Sequence, residues 1–328
     1  MNYRRLGKTA MSVSEVSLGT WQVGGGWGSD FDESTADHIL NTAVDQGINF
    51  FDTADVYDGG ASERAVGALK RRRGESIHLA TKCGRFINPH VSEGYTENAL
   101  RGFVEASLNN TGLEQLDLIQ LHCPPTEVYY RPEIFGLFAT LKDEGKIAHF
   151  GVSVEKVEEA LKAIEYPVVE TVQIIFNMFR QRPAERFFPL AAQQDVGIIC
   201  RVPLASGLLS GRMNKNTSFA EGDHRNFNRT GEAFDRGETF AGIPFEDGVR
   251  IVERIKKELP EHLPLAAAAL RWILDSRYVS TVIPGASRPE QVSGNAVVSE
   301  AGPLSAELLQ AVREIYEQEV THLVHHRW

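Results

Sequence analysis

The stretch NFFDTADVY, residues 49–57, decides the fold that this sequence predicts. It begins apolar, as a buried parallel strand does, and it becomes polar at the point where such a strand would end. In a β/α barrel the reactive groups lie at the C-terminal ends of the strands, where each strand passes into a loop. Asp52 and Tyr57 fall in that zone. The stretch therefore predicts a buried strand that delivers an acid and a phenol to one face of a barrel.

Two further apolar runs end in the same way. The run IHLATK, residues 77–82, ends at Lys82, and the run DLIQLH, residues 117–122, ends at His122. An acid, a phenol, an amine and an imidazole therefore follow one another along the chain, each at the end of a predicted strand.

Strand-like and helix-like segments alternate along the chain in eight repeats. Strict alternation of this kind predicts a parallel sheet, and eight repeats favour a closed barrel. Besides the opening stretch, the predicted strands are 16–20, 77–82, 117–122, 148–153, 169–176, 197–204 and 279–284. The predicted helices are 32–46, one that begins at 62, 96–110, 132–144, 157–164, 183–194, 247–259, 266–274, 289–297 and 305–318.

Three segments lie outside this alternation. Residues 1–14 predict a small β-hairpin that caps the bottom of the barrel. The long polar insertion 214–244 is typical of a surface loop that is functional or mobile, and the tail 322–328 has no interpretable pattern. The predicted fold class is α/β, a (β/α)8 TIM barrel with an N-terminal β-hairpin cap and extra C-terminal helices, in which residues 1–328 form a single domain.

A doubly wound nucleotide-binding fold is the alternative for an alternating sequence, and it lacks its motif. The glycine-rich stretch 24–28 does not fit G-x-G-x-x-G at the start of a helix. We interpret it as a loop at the barrel mouth, where Trp21 and Trp27 would wall a substrate pocket. For Trp27 a plain surface position is an equally good interpretation.

The composition excludes several classes of protein. Of the 328 residues, 42% are hydrophobic and 24% are charged, which is ordinary for a soluble globular protein. The net charge of −10 argues against a nucleic-acid partner. Three widely spaced cysteines fit reduced thiols without a disulfide framework or a metal site, and no signal peptide or long apolar span is recognisable. We therefore expect a cytoplasmic protein that does not contact a membrane.

Four separated motifs carry a resemblance to a known family. FDTADVY (51–57) with Ser62 and Glu63, ATK (80–82) and DLIQLH (117–122) resemble the aldo-keto reductase superfamily. The likeness runs from YRRLG (3–7) to VIPGA (282–286). It implies an NADPH-dependent carbonyl reductase. The catalytic tetrad that the resemblance implies consists of Asp52, Tyr57, Lys82 and His122.

The chemistry of these residues agrees with that expectation. Reduction of a carbonyl needs a hydride on carbon and a proton on oxygen, and a tyrosine with a pKa of about 10 is a reluctant acid at neutral pH. A neighbouring Lys82 ammonium would lower the pKa of Tyr57, and Asp52 would hold Lys82 in place. His122 would orient the substrate oxygen. The hydride comes from the nicotinamide, because no side chain can supply it.

Two loops after the last strands predict the binding site for NADP(H). Barrels commonly hold phosphates after strands seven and eight, here in ASGLLSGR (205–212) and GASRPEQ (285–291). Small residues let backbone N–H groups approach a pyrophosphate, and Arg288 at a helix N-terminus can grip a phosphate. By the resemblance, the adenosine 2′-phosphate lies at Arg288. The cofactor-binding residues that it implies are Gly19, Thr20, Trp21, Asp52, Ser153, Gln173, Arg201, Pro203, Leu204, Ser206, Gly207, Leu209, Ser210, Arg212, Gly285, Ser287, Arg288, Gln291 and Asn295.

The sequence departs from the family pattern at three positions. Val154 follows Ser153 where many members have an asparagine that holds the nicotinamide carboxamide. Arg201 stands where many relatives have an aromatic residue stacked on the nicotinamide, although a guanidinium can also stack. Gly285 replaces a lysine found in some branches. Gln173 and Asn177 match the family.

Two other functions remain open. One is a cofactor-binding regulatory subunit with weak turnover, like the channel-associated members of the superfamily. The other is an aldolase that forms a Schiff base on Lys82, which would leave Tyr57 and Arg288 without a role. For the reductase we expect a small-molecule carbonyl substrate, no metal, and a monomer, with a weak oligomer as the alternative.

Overall fold

A computed structural model of the chain describes residues 1–25 and 30–327. Eight parallel strands lie side by side in chain order, each paired with the next, and helices follow them. The predicted TIM barrel is therefore confirmed. The strands are the hairpin β1 (Tyr3–Arg5) and β2 (Ser12–Ser14), followed by β3 (Leu18–Gly19), β4 (Phe50–Asp52), β5 (His78–Cys83), β6 (Leu116–His122), β7 (Ile147–Ser153), β8 (Thr171–Ile175), β9 (Gly197–Arg201) and β10 (Thr281–Val282).

The ring closes between its first and last strands. Isolated parallel bridges join Val16 to Val282 and Gly19 to Gly285, so regular pairing is shorter here than the predicted runs 16–20 and 279–284. A side chain at Gly19 would bring its Cβ within 3.0 Å of the Ile283 carbonyl oxygen. Glycine at this position therefore lets the two strands approach.

Twelve α-helices are found in the part of the chain that the structure describes. Asp32 caps the first by accepting a hydrogen bond from the Thr35 N–H at 2.7 Å. The helices are α1 (Glu33–Asp45), α2 (Ala61–Arg72), α3 (Glu97–Thr111), α4 (Pro132–Asp143), α5 (Val157–Ala163), α6 (Phe187–Gln193), α7 (His224–Phe227), α8 (Phe245–Glu258), α9 (Leu265–Leu274), α10 (Pro289–Ala296), α11 (Ala306–Ile315) and α12 (Thr321–Val324). None of them is both long and apolar enough to cross a membrane.

Two predicted segments are shorter than expected, one at its start and one at its end. The helix predicted over 183–194 begins only at Phe187, because the chain first makes a tight turn at Arg182–Ala184 and Arg186 is not helical. The strand predicted over 197–204 ends at Arg201, since Val202 turns into the left-handed region at φ +51°. A β-branched residue is strained in that conformation.

The N-terminal hairpin closes the bottom of the barrel, as predicted. Leu6, Met11 and Val13 are buried in one apolar cluster with residues from the lower parts of the barrel strands, including Phe50 and Leu118. The hairpin therefore fills the lower end of the barrel interior with apolar side chains.

The insertion 214–244, predicted as a surface loop that is functional or mobile, is more ordered than its composition suggested. It contains α7 and buries His224, Asn228 and Phe240. The Asn228 side chain accepts hydrogen bonds from the Ala233 and Phe234 N–H groups at 2.8 and 3.0 Å. The polar residues of this segment thus satisfy its own backbone, which is why a polar composition here does not mean exposure.

The C-terminal tail is also ordered where no pattern was recognised. After α11 the chain makes a wider helical turn at Tyr316–Val320 and then forms α12, where Val324 is buried. The Tyr316 hydroxyl lies 2.7 Å from His325 Nδ1. Residues 322–327 therefore pack against the preceding helix.

Candidate active site

The strand register brings the four predicted catalytic residues to the upper end of the barrel. Asp52 is the last residue of β4, Lys82 lies near the end of β5, and His122 ends β6. Because these strands are neighbours and parallel, their C-terminal ends lie side by side. Tyr57 begins the tight turn Tyr57–Gly60 that follows β4.

The Lys82 ammonium is the centre of this group. Its Nζ donates to Asp52 Oδ1 at 2.6 Å, to the Thr53 carbonyl oxygen at 2.8 Å and to the Tyr57 hydroxyl at 3.3 Å. Lys82 is 1% exposed and Asp52 is 2% exposed. A buried ammonium with three oxygen partners is held in one position, and the structure places it beside the phenol.

The second carboxylate oxygen of Asp52 is also satisfied. Asp52 Oδ2 accepts from Gln173 Nε2 at 2.7 Å and from Gln120 Nε2 at 3.2 Å. Gln120 was not among the predicted site residues, although it stands two residues before His122 on an apolar strand. A buried amide in such a run is the signal that identifies it. The two amides keep Asp52 oriented towards Lys82.

Burial changes the expected electrostatics of Tyr57. Desolvation raises the pKa of Tyr57 and outweighs the lowering by the Lys82 ammonium. Desolvation also lowers the pKa of Lys82, but the Asp52 carboxylate and the Tyr57 phenol together raise it above its ordinary value. The expectation that Lys82 lowers the pKa of Tyr57 is therefore wrong for the net shift. The phenol is protonated and the ammonium charged at neutral pH.

His122 is held as a neutral imidazole. Its burial, followed by the positive charges of Arg85, Lys82 and Arg201, keeps its pKa well below the usual value. Its ring meets that of Tyr57 edge to face, with the centroids 6.0 Å apart. Nδ1 is buried and has no hydrogen-bond partner among the described residues. A neutral ring with one N–H is suited to donate a hydrogen bond to a substrate oxygen.

Four charged residues form an ion cluster over the same end of the barrel, and three of them were missed by the sequence analysis. The cluster consists of Arg85, Glu155, Arg201 and Glu238. Arg201 Nη2 lies 2.9 Å from Glu155 Oε1, and Arg85 Nη2 contacts both glutamates. Arg85 lies two residues after the end of β5, and Glu155 lies two residues after the end of β7. A charged residue just after a predicted strand is therefore the sequence signal that could have identified both.

Arg201 is engaged in this cluster. Its Nη2 donates to the Val154 carbonyl oxygen at 3.1 Å and contacts Cys123 Sγ at 3.4 Å. Burial alone would lower the pKa of Arg201, but Cys123 and the two glutamates raise it by more. The net pKa lies above the ordinary value, so the guanidinium keeps its charge. Arg201 is thus a fixed plane at the end of β9.

The loop after β9 carries most of the predicted phosphate-binding residues. Ala205, Ser206 and Gly207 have φ values of +47°, +54° and +97°, which is typical of backbone N–H groups arranged around an anion. The hydroxyl of Ser206 is already used, because it donates to the Glu238 carbonyl oxygen at 2.9 Å. Of the other predicted residues, Pro203 and Leu209 are buried, Leu204 and Ser210 are half-buried, and Arg212 is exposed.

The loop after β10 leads into α10 as predicted. Arg288 is exposed at the N-cap of α10, and its guanidinium has no acceptor among residues 1–25 and 30–327. Gln291 Oε1 accepts from the Ser287 N–H at 2.8 Å, which closes the turn. Asn295 lies one helical turn further on and is half-buried. Gly285 is exposed beside the β3 end.

The remaining predicted cofactor residues lie around the first strand and β7. The Thr20 N–H and hydroxyl both donate to the Asp52 carbonyl oxygen, at 2.9 and 3.0 Å. The Trp21 ring packs edge to face against His224 of the insertion, with the centroids 5.0 Å apart. Ser153 ends β7 and is buried. Trp27 lies outside the described residues.

Comparisons with known proteins show the family to which the chain belongs. Residues 15–317 match the aldo/keto reductase family. The holo form of aldo-keto reductase AKR11C1 from Bacillus halodurans is similar in structure, with a TM-score of 0.76 and 27% identity over 97% of this chain and 99% of that chain.

Two curated relatives have different printed functions. The NADH-specific methylglyoxal reductase of Escherichia coli (strain K12) is 27% identical over 88% of this chain and 91% of its own length. A probable voltage-gated potassium channel subunit beta of Arabidopsis thaliana is 28% identical over 93% of both chains. Since the family match covers nearly the whole barrel, this chain belongs to the aldo/keto reductase family of oxidoreductases.

Proposed function

We propose that this chain is an NADPH-dependent reductase of aldehydes and ketones in which Tyr57 donates the proton to the carbonyl oxygen. The observation that supports the proposal most is the buried contact chain from Asp52 through Lys82 to Tyr57, with Lys82 Nζ 2.6 Å from the carboxylate and 3.3 Å from the phenol.

Tyr57 would act as a general acid because it keeps its proton until the reaction needs it. Its pKa is raised by burial, so the phenol is fully protonated at neutral pH. When the carbonyl oxygen gains negative charge it takes this proton, and the phenolate that remains faces the Lys82 ammonium. Stabilising charge that develops during the reaction, rather than in the resting protein, lowers the barrier.

His122 would bind and orient the carbonyl oxygen. Its ring lies edge to face with Tyr57, and its pKa is too low for it to compete as an acid. A neutral imidazole N–H and a phenol O–H converging on one oxygen fix the direction from which the carbonyl carbon is attacked.

The residues after β9 and β10 fit a nicotinamide dinucleotide. The left-handed backbone at residues 205–207 presents amides to a pyrophosphate, and Arg288 offers an exposed guanidinium without an acceptor among the described residues. Hydride transfer is the chemistry that the nicotinamide supplies when it is bound. Arg288 favours NADPH, because a 2′-phosphate is a partner that NADH lacks.

The experiment that tests the proposal is a panel of small aldehydes and ketones with NADPH or NADH, followed by absorbance at 340 nm. We expect many turnovers per protein molecule with at least one carbonyl, and a preference for NADPH. Oxidation of no more than one NADPH per protein across the panel would contradict the proposal.

A second candidate is a cofactor-binding regulatory subunit with weak turnover. The similarity to the channel subunit of Arabidopsis thaliana favours it. It predicts stoichiometric oxidation of bound NADPH in the panel. An aldolase is disfavoured, because a Lys82 that is charged and bonded to Asp52 is a poor nucleophile for a Schiff base.

A further inference from the structure

Arg85 is only partly used by the ion cluster. Its Nη2 atom makes the contacts with Glu155 and Glu238, while Nε and Nη1 donate to no acceptor in the described part of the chain. The Arg85 side chain is 20% exposed, compared with 10% for Arg201. Arg201 is thus the anchor of the cluster, and Arg85 keeps two donor groups that no described residue uses.

The two glutamates that contact Arg85 differ in origin. Glu155 follows β7 directly and belongs to the barrel. Glu238 belongs to the insertion, in the turn Arg236–Glu238, and is held there by the hydrogen bond from Ser206 to its carbonyl oxygen. The insertion therefore places the Glu238 carboxylate against Arg85, which follows a strand of the barrel.

Arg85 also acts on the residues that would bind the carbonyl. Among the charged groups that lower the pKa of His122, Arg85 comes first, ahead of Lys82. The cluster adjoins the catalytic group, because Arg201, which shares Glu155 with Arg85, contacts Sγ of Cys123 at 3.4 Å, and Cys123 directly follows His122. A substrate whose oxygen meets Tyr57 and His122 would therefore have its remaining atoms near Arg85. An anionic substituent on such a substrate is favoured there.

We propose that Arg85 determines substrate specificity by binding a carboxylate on the carbonyl substrate in exchange for the carboxylate of Glu238. The substrate class is then that of oxo acids, in which an aldehyde or ketone and a carboxylate lie on one short chain. A guanidinium fork matches a carboxylate with two parallel hydrogen bonds, which Nη2 of Arg85, once released from Glu238, and the neighbouring free Nη1 or Nε would supply. The reduction of such a substrate rests on the proposed function, whereas the binding of its carboxylate at Arg85 does not.

A cation is a poorer occupant of the same place. The Cys123 thiol and the Glu155 and Glu238 carboxylates lie within 4.8 Å of one another. However, Arg85 and Arg201 already contact the two acidic side chains, and burial raises the pKa of Glu155 well above its ordinary value. Burial also raises the pKa of Cys123 to about 12, so the thiol stays protonated. The site therefore suits an anion that exchanges with Glu238 better than it suits a cation.

The test compares 4-oxobutanoate with butanal, which has the same chain length and no carboxylate. In Arg85→Gln we expect kcat/KM for 4-oxobutanoate to fall at least tenfold more than kcat/KM for butanal, since butanal has no carboxylate for Arg85 to bind. Arg101→Gln is the matched control, since this arginine pairs with Glu97 and Glu144 between α3 and α4 and should change neither value. Equal losses on both substrates in Arg85→Gln would overturn the proposal.

A second variant and a binding measurement make the test independent of folding and of turnover. Glu238→Gln releases Arg85, so kcat/KM for 4-oxobutanoate should rise relative to that for butanal. Calorimetry with succinate, a carboxylate without a reducible carbonyl, should show binding that Arg85→Gln weakens at least tenfold. Failure of succinate to bind the wild-type protein would also overturn the proposal. Succinate binding through Arg85 without turnover of any carbonyl would instead contradict the proposed function alone.

Discussion

At the scale of single residues, the site depends on a lysine that is both buried and charged. An isolated ammonium in an apolar interior would lose its proton, and Lys82 keeps it because Asp52, the Thr53 carbonyl and Tyr57 surround it with oxygens. Asp52 is in turn fixed by Gln120 and Gln173. These buried polar contacts hold the Lys82 side chain in one orientation, and Lys82 in turn positions the Tyr57 phenol.

Asp55 gives a prediction for the pH dependence of stability. Burial, followed by the nearby Glu63, raises the pKa of Asp55 from 3.8 to about 7. Between these two pH values the folded protein holds a proton that the unfolded chain has lost, so the free energy of unfolding falls as the pH rises from about 4 to 7. Asp55→Asn removes this effect. We expect the variant to be more stable than the wild type at pH 8 by about 2–4 kcal/mol, with a smaller difference at pH 5.

Urea unfolding of both proteins at the two pH values measures this difference. Asp143→Asn, an exposed position at the end of α4, is the control and should leave the pH dependence unchanged. A variant of Asp55 that is equally destabilised at both pH values would show that the carboxylate has an unrecognised stabilising partner.

At the scale of elements, the strand ends carry the site, and this much could be predicted from the sequence. Apolar runs that end in Asp52, Lys82 and His122 identify both the strands and the face to which their last residues belong. The ion cluster could not be predicted in the same way, because Arg85 meets Glu155 and Glu238 only after the barrel closes and the insertion folds over it. The direction of the Tyr57 pKa shift was missed for a similar reason, since a motif does not show burial.

The N-terminus of α10 gives a prediction for cofactor choice. Arg288→Ala removes the exposed guanidinium at this N-cap. If it binds the 2′-phosphate, KM for NADPH should rise at least tenfold, because the loss of one charge-assisted hydrogen bond costs about 1.5–3 kcal/mol of binding free energy. KM for NADH, which has no 2′-phosphate, should change less than twofold. Steady-state kinetics with both cofactors measures this. Arg313→Ala, exposed on α11, is the control, and equal losses for NADPH and NADH would refute the role of Arg288.

At the scale of the whole molecule, the first strand is tied to the end of α9 and to the segment before β10, and we propose that residues 1–328 fold as one unit. The Arg4 guanidinium donates to the carbonyl oxygens of Leu274 and Val279 at 2.8 and 2.9 Å. It also pairs with the buried Glu15 at 2.6 Å. One side chain thus satisfies the end of α9 and a buried carboxylate.

Arg4→Ala should therefore destabilise the protein by about 2–4 kcal/mol, because it leaves Glu15 without its charged partner. Arg5→Ala on the same strand is the matched control. Arg5 pairs with Asp195 at the surface, and its loss should cost less than about 1 kcal/mol. Urea unfolding followed by circular dichroism and by tryptophan fluorescence measures both. Two separate transitions in the wild type would contradict a single folding unit.

The central claim is that Tyr57, beside the Lys82 ammonium, donates the proton in carbonyl reduction. The most direct measurement is the rate of NADPH oxidation by Tyr57→Phe with the best carbonyl substrate of the wild type, with NADPH affinity determined in parallel by fluorescence. The account predicts a loss in kcat of about 10²–10⁴ with nearly unchanged NADPH affinity, since only the proton donor is removed. A Tyr57→Phe variant that reduces the carbonyl at close to the wild-type rate would contradict it.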